Sequence, residues 1–250
     1  MKKAALFTFF MGALTVASFG LFIVKMGGEV RPWSYPNPHG FKAAMVWFEL
    51  TDSAEELFEN LGPFDGESGR AIRSRLDTGN TYDFIFMPCY SIFFAAIFFY
   101  LFKGLKEKGM ARPFDRYLLF FMCAASLGMW ISDIFENRQL LMLTGYATAA
   151  GVPGAVLIKL KFWTTMKWGL IFFACAIAAV QYTRYFSLRT AAGIIVALLY
   201  ASSAATGAVG IAVSRFRFVI ETTNMIIALA WFATIIHAGG IAFARAIDKT

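Results

Sequence analysis

An all-α, polytopic membrane bundle of about six transmembrane helices is the fold this sequence predicts, and three observations carry it. Six apolar runs, at 4–24, 84–105, 117–137, 160–182, 190–213 and 223–244, hold almost no charge. Each is close to the ~20 residues a helix needs to cross a hydrocarbon core of ~30 Å. Charged residues make up only 16% of the chain, against about 25% in soluble proteins. The 28 phenylalanines suit lipid-facing surfaces, which make no polar demand. The chain of 250 residues leaves room for a single membrane domain (1–250) with one sizeable loop (26–82), and for no separate soluble catalytic module.

The first run follows Lys2 and Lys3, and Val16-Ala17-Ser18 offers a weak leader-cleavage signal. The apolar stretch is longer than a signal core of ~7–15 residues, so it reads as the first transmembrane helix. The long loop then changes character twice. Residues 31–40 (RPWSYPNPHG) carry three prolines and should run extended, with Trp33 and Tyr35 in the headgroup layer and His39 solvated. Residues 41–50 are apolar enough to lie in the interface. Thr51-Asp52-Ser53 followed by Glu55 and Glu56 has capping-box spacing, so a short helix should start there and end near Gly62. A second helical stretch, 67–76, carries Arg70, Arg73 and Arg75. Together these predict a small helical extracytoplasmic cap between the first and second spans, acidic in one arm and basic in the other: docked surface helices, a gate, or a partner-docking surface.

The short loops set the orientation. Lys103, Lys106, Lys108, Arg112 and Arg116 fill the loop between the second and third spans. Arg184 and Arg189 lie between the fourth and fifth, and Arg245 and Lys249 follow the sixth. Placing these in the cytoplasm satisfies the positive-inside rule, with both termini cytoplasmic and 26–82 outside. Arg215 and Arg217 are the one discord. A bacterial inner membrane is the expected home, since no eukaryotic targeting or lipidation signal is present. The net charge of +7 sits in these topology-setting loops, which points to membrane lipids as partners and away from nucleic acid.

Ionisable residues inside spans are costly and should face the bundle interior. Asp83 stands at the outer entrance of the second span. Asp133, Glu136 and Asn137 close the outer end of the third, on one helical face. The fourth span opens with Lys159, Lys161 and Lys167, and its length forces Lys167 into the bilayer. Glu221 and Asn224 open the sixth span from the same side. Four helices thus direct ionisable groups to one depth, and Lys167 should pair with Asp133 or Glu136. Such a cluster is either an ion-pair network pinning the helices together or an outward-facing polar pocket for a lipid headgroup, cation or small solute. Asp83, Asp133 and Glu136 also permit a hard-cation site without demanding one. No nucleophile–base pair stands out, so no catalytic residue is assigned.

A resemblance adds to this. Phe48-Glu49-Leu50-Thr51, then Tyr82-Asp83-Phe84-Ile85-Phe86 with Tyr90, then Asp133, Glu136, Asn137 and Leu140, then Lys167-Trp168 stand in an order that resembles a family of bacterial multi-pass integral membrane proteins of uncharacterised activity. The resemblance covers 46–168 and implies a shared site without implying a reaction.

Cys89, Cys123 and Cys175 sit at different depths, a geometry that suits packed, reduced thiols rather than a disulfide or shared metal. His237, deep in the sixth span, could ligate a haem or pigment but more commonly bonds a neighbouring helix; no cofactor is expected. In the fifth span, Ala201-Ser202-Ser203-Ala204-Ala205 leads into Gly207 and Gly210, answered by Gly239-Gly240 in the sixth. These small residues suit close helix packing, internally or across a homo-oligomer. There is no phosphate-cradling glycine loop, CxxC, HExxH or GxSxG. The functional expectation is a lipid- or solute-binding membrane protein. Its alternatives are an accessory subunit of a larger membrane complex and a lipid-modifying enzyme.

Overall fold

A computed structural model describes residues 1–186 and 191–244. Arg189, Arg245 and Lys249 lie outside the described residues. The described chain folds into eight α-helices: α1 (Lys2–Met26), α2 (Ala44–Glu49), α3 (Ala54–Leu61), α4 (Glu67–Glu107), α5 (Pro113–Leu143), α6 (Gly154–Phe186), α7 (Ala191–Ala212) and α8 (Val219–Phe243). Six of them, all but α2 and α3, are long and apolar enough to cross a membrane. No strand occurs among the described residues. This is a polytopic helical bundle.

The six long helices pack as a closed ring in the order α1, α4, α5, α6, α7, α8 and back to α1, with α4 also touching α6. α4 is the most buried of them. Its phenylalanines explain that position: Phe93 and Phe94 are fully enclosed, alongside Tyr100 and Met87. Each such side chain contributes about 1.5–3 kcal/mol when taken out of a wet reference state. The outward faces of α1, α5 and α8 carry exposed Phe10, Phe120 and Ile236, as lipid contact requires.

The cap differs from expectation in two respects. The basic stretch 67–76 is no separate surface helix; it is the projecting end of α4, which runs unbroken for 41 residues through Asp83 and Pro88. At ~1.5 Å per residue, α4 is about twice as long as a hydrocarbon core is thick. The apolar stretch 41–50, too, is packed into the protein rather than laid along its surface. α2 buries Trp47 and Phe48 completely, and Phe41 beside it is 1% exposed. The physical reason is the neighbouring apolar surface: Phe48, Leu57 and Leu61 of the cap join Phe22, Leu76, Leu140 and Leu160 from the ends of four long helices in one cluster. The cap is therefore an extension of the core, not a loose strap.

The acidic helix forms as its capping residues dictate. Ser53 caps α3 by accepting the Glu56 N–H at 3.1 Å, and the Glu56 carboxylate accepts the Asp52 N–H at 2.9 Å. α3 stops at Gly62, whose φ of 70° is left-handed and whose missing side chain makes room for the Trp33 ring; a Cβ there would lie 2.6 Å from it. Trp33 and Tyr35 are exposed. His39, expected in solvent, instead lies against Trp47 and 3.3 Å from Glu59 Oε2.

At the other end of the bundle, Asp115 accepts the Arg112 N–H at 2.7 Å and pairs with Arg184. Lys108 donates to the Tyr185 carbonyl at 2.6 Å. His237 takes a hydrogen bond with Tyr100 of α4 at 2.9 Å and is ringed by Tyr182, Tyr185 and Phe186. Cys89 and Cys175 are buried free thiols, but Cys123 is exposed and so is not the packed thiol expected of it.

Gly207 and Gly210 of α7 serve internal packing, while Ala201, Ser202 and Ala205 are exposed. A Cβ on Gly207 would lie 2.4 Å from the Phe172 ring of α6, and one on Gly210 would lie 2.7 Å from Ile220 of α8. Gly239 receives Phe9 of α1, so it answers the first span instead of the fifth. Gly207→Val should cost about 1–3 kcal/mol through overpacking and lower the unfolding midpoint in detergent. Gly240→Ala, whose Cβ would meet nothing within 4 Å, should leave it unchanged. Equal midpoints for the two variants would contradict this account of α7.

Candidate functional site

The ionisable residues meet at the cap end of the ring, where α4, α5 and α6 face one another beneath α2. Lys167 is the centre. Its position in α6, thirteen residues into a helix that begins at Gly154, places a long cationic side chain inside the bundle. Its ammonium lies 3.1 Å from Glu49 Oε2, 3.2 Å from Asp133 Oδ1, and in direct contact with Glu136 Oε2. Lys167, Asp133 and Glu136 are all at least nine-tenths buried, and Glu136 is wholly enclosed. The Trp168 ring adds a cation–π contact at 5.0 Å.

Each carboxylate has further support. Asp133 and Glu136 stand three residues apart on α5, so both point at α6. Tyr90 of α4 donates to Asp133 Oδ2 at 2.7 Å. Thr164, one turn before Lys167, donates to Glu136 Oε1 at 2.6 Å and lies 3.2 Å from the Glu49 carbonyl oxygen. Asn137 donates to Asp83 Oδ2 at 2.8 Å and to the Asn80 carbonyl at 3.2 Å, tying Asp83 to the same face of α5. Asp133 Oδ1 and Glu136 Oε2 form no hydrogen bond among the described residues; what they face is the Lys167 ammonium. Three carboxylates, Glu49, Asp133 and Glu136, thus share one buried cation, with Asp83 beside them on Asn137.

Lys167, Asp133 and Glu136 are brought together, with Asp83 and Asn137 adjoining them. Lys161 and Glu221 are not part of the cluster. Lys161 is exposed and pairs with Asp52 of the cap at 3.0 Å, because it sits nearly two turns closer to the end of α6 than Lys167 does. Glu221 turns away to accept the backbone N–H groups of Lys42 and Ala43 at 3.0 and 2.8 Å, anchoring the segment that enters α2. Sequence reasoning missed Glu49 as a member, although Phe48-Glu49-Leu50 was in view; an acid embedded in an otherwise apolar stretch was the available signal. Tyr90 stands in the motif order of the resemblance but without a role, and Thr164 carried no signal, since a hydroxyl in a span is unremarkable until its partner is known.

The residue at odds with the loop-charge pattern, Arg217, also finds its purpose here. It lies 3.1 Å from Asp52 Oδ2 and donates to both oxygens of Glu56 at 3.0 and 3.2 Å, as well as to the Leu50 carbonyl. Trp47 donates to the same Glu56 at 2.6 Å. The cap is thus bolted to the bundle by Arg217, Glu221 and Lys161 at its rim and by Glu49 from beneath. Between the cap, α6 and α7 a cleft of about 80 Å³ remains, lined by Glu49, Asp52, Lys161, Thr164, Trp168 and Arg217. Burial holds the Glu49 carboxyl above the usual carboxylate range, against the pull of the Lys167 ammonium.

The hard-cation arrangement that Asp83, Asp133 and Glu136 permit is not assembled: among the described residues no three such side chains converge as metal ligands. The lysine ammonium stands between Asp133 and Glu136, while Asp83 is held aside by Asn137. No family model matches the chain, and neither a curated protein nor a solved structure does.

Removing Lys167 leaves buried acids without their counter-ion. Lys167→Met should therefore lose about 3–5 kcal/mol, with part recovered in Lys167→Met/Glu136→Gln, read as unfolding midpoints in detergent. A single variant as stable as the parent would refute the central role of the ammonium. Arg217→Gln should loosen only the cap: proteolysis within 50–66 should quicken several-fold while the long helices stay protected, and uniform cleavage would count against a bolted cap.

Proposed function

We propose that the chain is a multi-pass protein of a bacterial inner membrane, cap outside and termini in the cytoplasm, that binds a small polar ligand bearing an ammonium group. Its source is a lipid headgroup or a small solute. The observation that supports this is the excess of acid: Glu49, Asp133 and Glu136, with Asp83 adjoining, around Lys167 as the one cation in contact with them among the described residues. Burying uncompensated charge near lipid is costly, and the cluster relieves it by taking up a proton or a further cation. Glu49 is the member able to offer it a place, because its side chain is 13% exposed while those of Asp133 and Glu136 are sealed. The cleft above Glu49 has space for only a handful of water-sized groups at ~10–15 Å³ each, which limits the bound part to a headgroup fragment. Lys161 on its rim, exposed and tied only to Asp52 among the described residues, suits an anionic group on the same ligand. Lysines at the end away from the cap, among them Lys2, Lys103, Lys106 and Lys108, support the orientation.

A second reading is an accessory subunit of a larger membrane complex; of its two docking routes, the glycines of α7 are occupied by Phe172 and Ile220, which leaves the cap.

The test is native mass spectrometry and titration of the full chain in mild detergent, with ethanolamine and dihexanoyl phosphatidylethanolamine as probes. Glu49→Gln should weaken binding about tenfold, as expected for losing a charged partner worth ~1.4 kcal/mol or more, while the chain stays folded with a smaller loss of unfolding midpoint than Lys167→Met. Binding should strengthen as pH rises through the raised pKa of Glu49, because a cation prefers the ionised carboxylate. Affinity that is flat with pH and unchanged in Glu49→Gln would refute the reading.

A further inference from the structure

A second recess, separate from the Lys167 cluster, runs along the projecting end of α4 where it meets the C-terminal end of α5. It holds about 670 Å³, within the ~300–1,000 Å³ common for small-ligand sites. Arg70, Arg73 and Ser74 line its upper part, Asp77 and Thr144 its middle, and Tyr82 and Leu141 its lower end.

The charge of this recess is unusual. Arg73 is 5% exposed, and its guanidinium donates only to carbonyls: Thr144 at 3.0 Å, Tyr146 at 3.4 Å and Gly62 at 3.0 Å. Its Nε has no partner among the described residues. Phe58 and Phe64 rings flank it at 5.2 and 5.3 Å. Carbonyl dipoles and ring faces orient a guanidinium but do not neutralise it. The recess has one carboxylate, Asp77, and that accepts the Thr144 hydroxyl at 2.6 Å. Arg70 is exposed and forms no ion pair among the described residues. Two guanidiniums against one carboxylate leave a net positive lining, and the Ser74 hydroxyl makes no hydrogen bond among the described residues.

The recess also has a polarity gradient. Tyr82 adjoins Asp83, where the apolar run of α4 begins, and Lys25 lies over the Tyr82 ring at 5.7 Å. Arg70 stands twelve residues further out, about 18 Å along the helix at ~1.5 Å per residue. An occupant would be apolar or neutral at the foot and anionic at the top.

We infer that this recess binds a phosphate ester, with the phosphate on Arg70 and Ser74 and the Arg73 charge behind them. A phospholipid headgroup and a soluble phosphate ester share that chemistry. Guanidinium–phosphate pairing is the favoured match for this donor set.

The experiment titrates the full chain in a non-ionic detergent with dihexanoyl phosphatidylglycerol and, separately, with glycerol 3-phosphate, read by native mass spectrometry. Saturable one-to-one binding of either probe is expected, at least fivefold weaker in Arg70→Gln and lost in Ser74→Asp, which sets a like charge against the phosphate. Arg138→Gln removes an exposed arginine that does not line the recess and should leave binding unchanged, as should Glu49→Gln, which separates this site from the cleft under the cap. Tighter binding of the lipid assigns the recess to headgroups, and tighter binding of glycerol 3-phosphate assigns it to soluble esters. Equal weakening in Arg70→Gln and Arg138→Gln, or no saturable binding of either probe, would overturn the inference.

Discussion

The buried ammonium of Lys167 is the interaction on which the cap end of this protein depends. Three carboxylates from two separate parts of the chain, Glu49 from the cap and Asp133 and Glu136 from α5, converge on a single side chain of α6. In an apolar surround the Coulomb attraction is large, but so is the penalty for removing each charge from water, and the balance is favourable only when every charge is well placed. Tyr90 and Thr164 supply the added hydrogen bonds that such a balance needs. The result couples three structural units through one atom: moving the cap, α5 or α6 disturbs the same ion cluster.

This coupling explains why the cap is so firmly held. Its apolar residues, Phe48, Leu57 and Leu61, complete a cluster begun by the ends of the long helices. Its polar rim is tied by Arg217 to Asp52 and Glu56, and Glu221 holds the backbone entering α2. Apolar burial supplies the energy, while the ion pairs fix where the cap sits. The access route to Glu49 is consequently narrow, and any ligand that reaches it does so beside Lys161 and Arg217. The recess on α4 is different in kind: wide, positively lined, and separated from the Lys167 cluster by Asn80, Asp83 and Asn137.

How much of this the sequence revealed depends on the range of the interaction. Six spans, the start of α3 at Ser53 and its end at Gly62 are local matters of hydropathy, capping and backbone freedom, and all were legible. So was the pairing of Lys167 with α5, because span length fixes depth and helical periodicity fixes face. The extent of α4 was not, since a polar segment before an apolar run looks like a boundary even when the helix passes through it. Nor were the true partners of Lys161 and Glu221, which share the right end of the bundle but point elsewhere.

Left to itself, the sequence determined the number of helices crossing the bundle, where their apolar stretches lie, and that Asp133, Glu136 and Lys167 would be forced inside, because these follow from the cost of placing polar groups in lipid. The tertiary structure alone decided that Glu49 belongs to the cluster, that Arg217 serves the cap, and that the glycines of α7 meet Phe172 and Ile220. Each of those contacts joins residues between 35 and 165 positions apart or lying on different helices, and no periodicity along one chain segment encodes which side chain a neighbouring helix will present. The ring order of the helices supplies that information, and it exists only once the chain has packed.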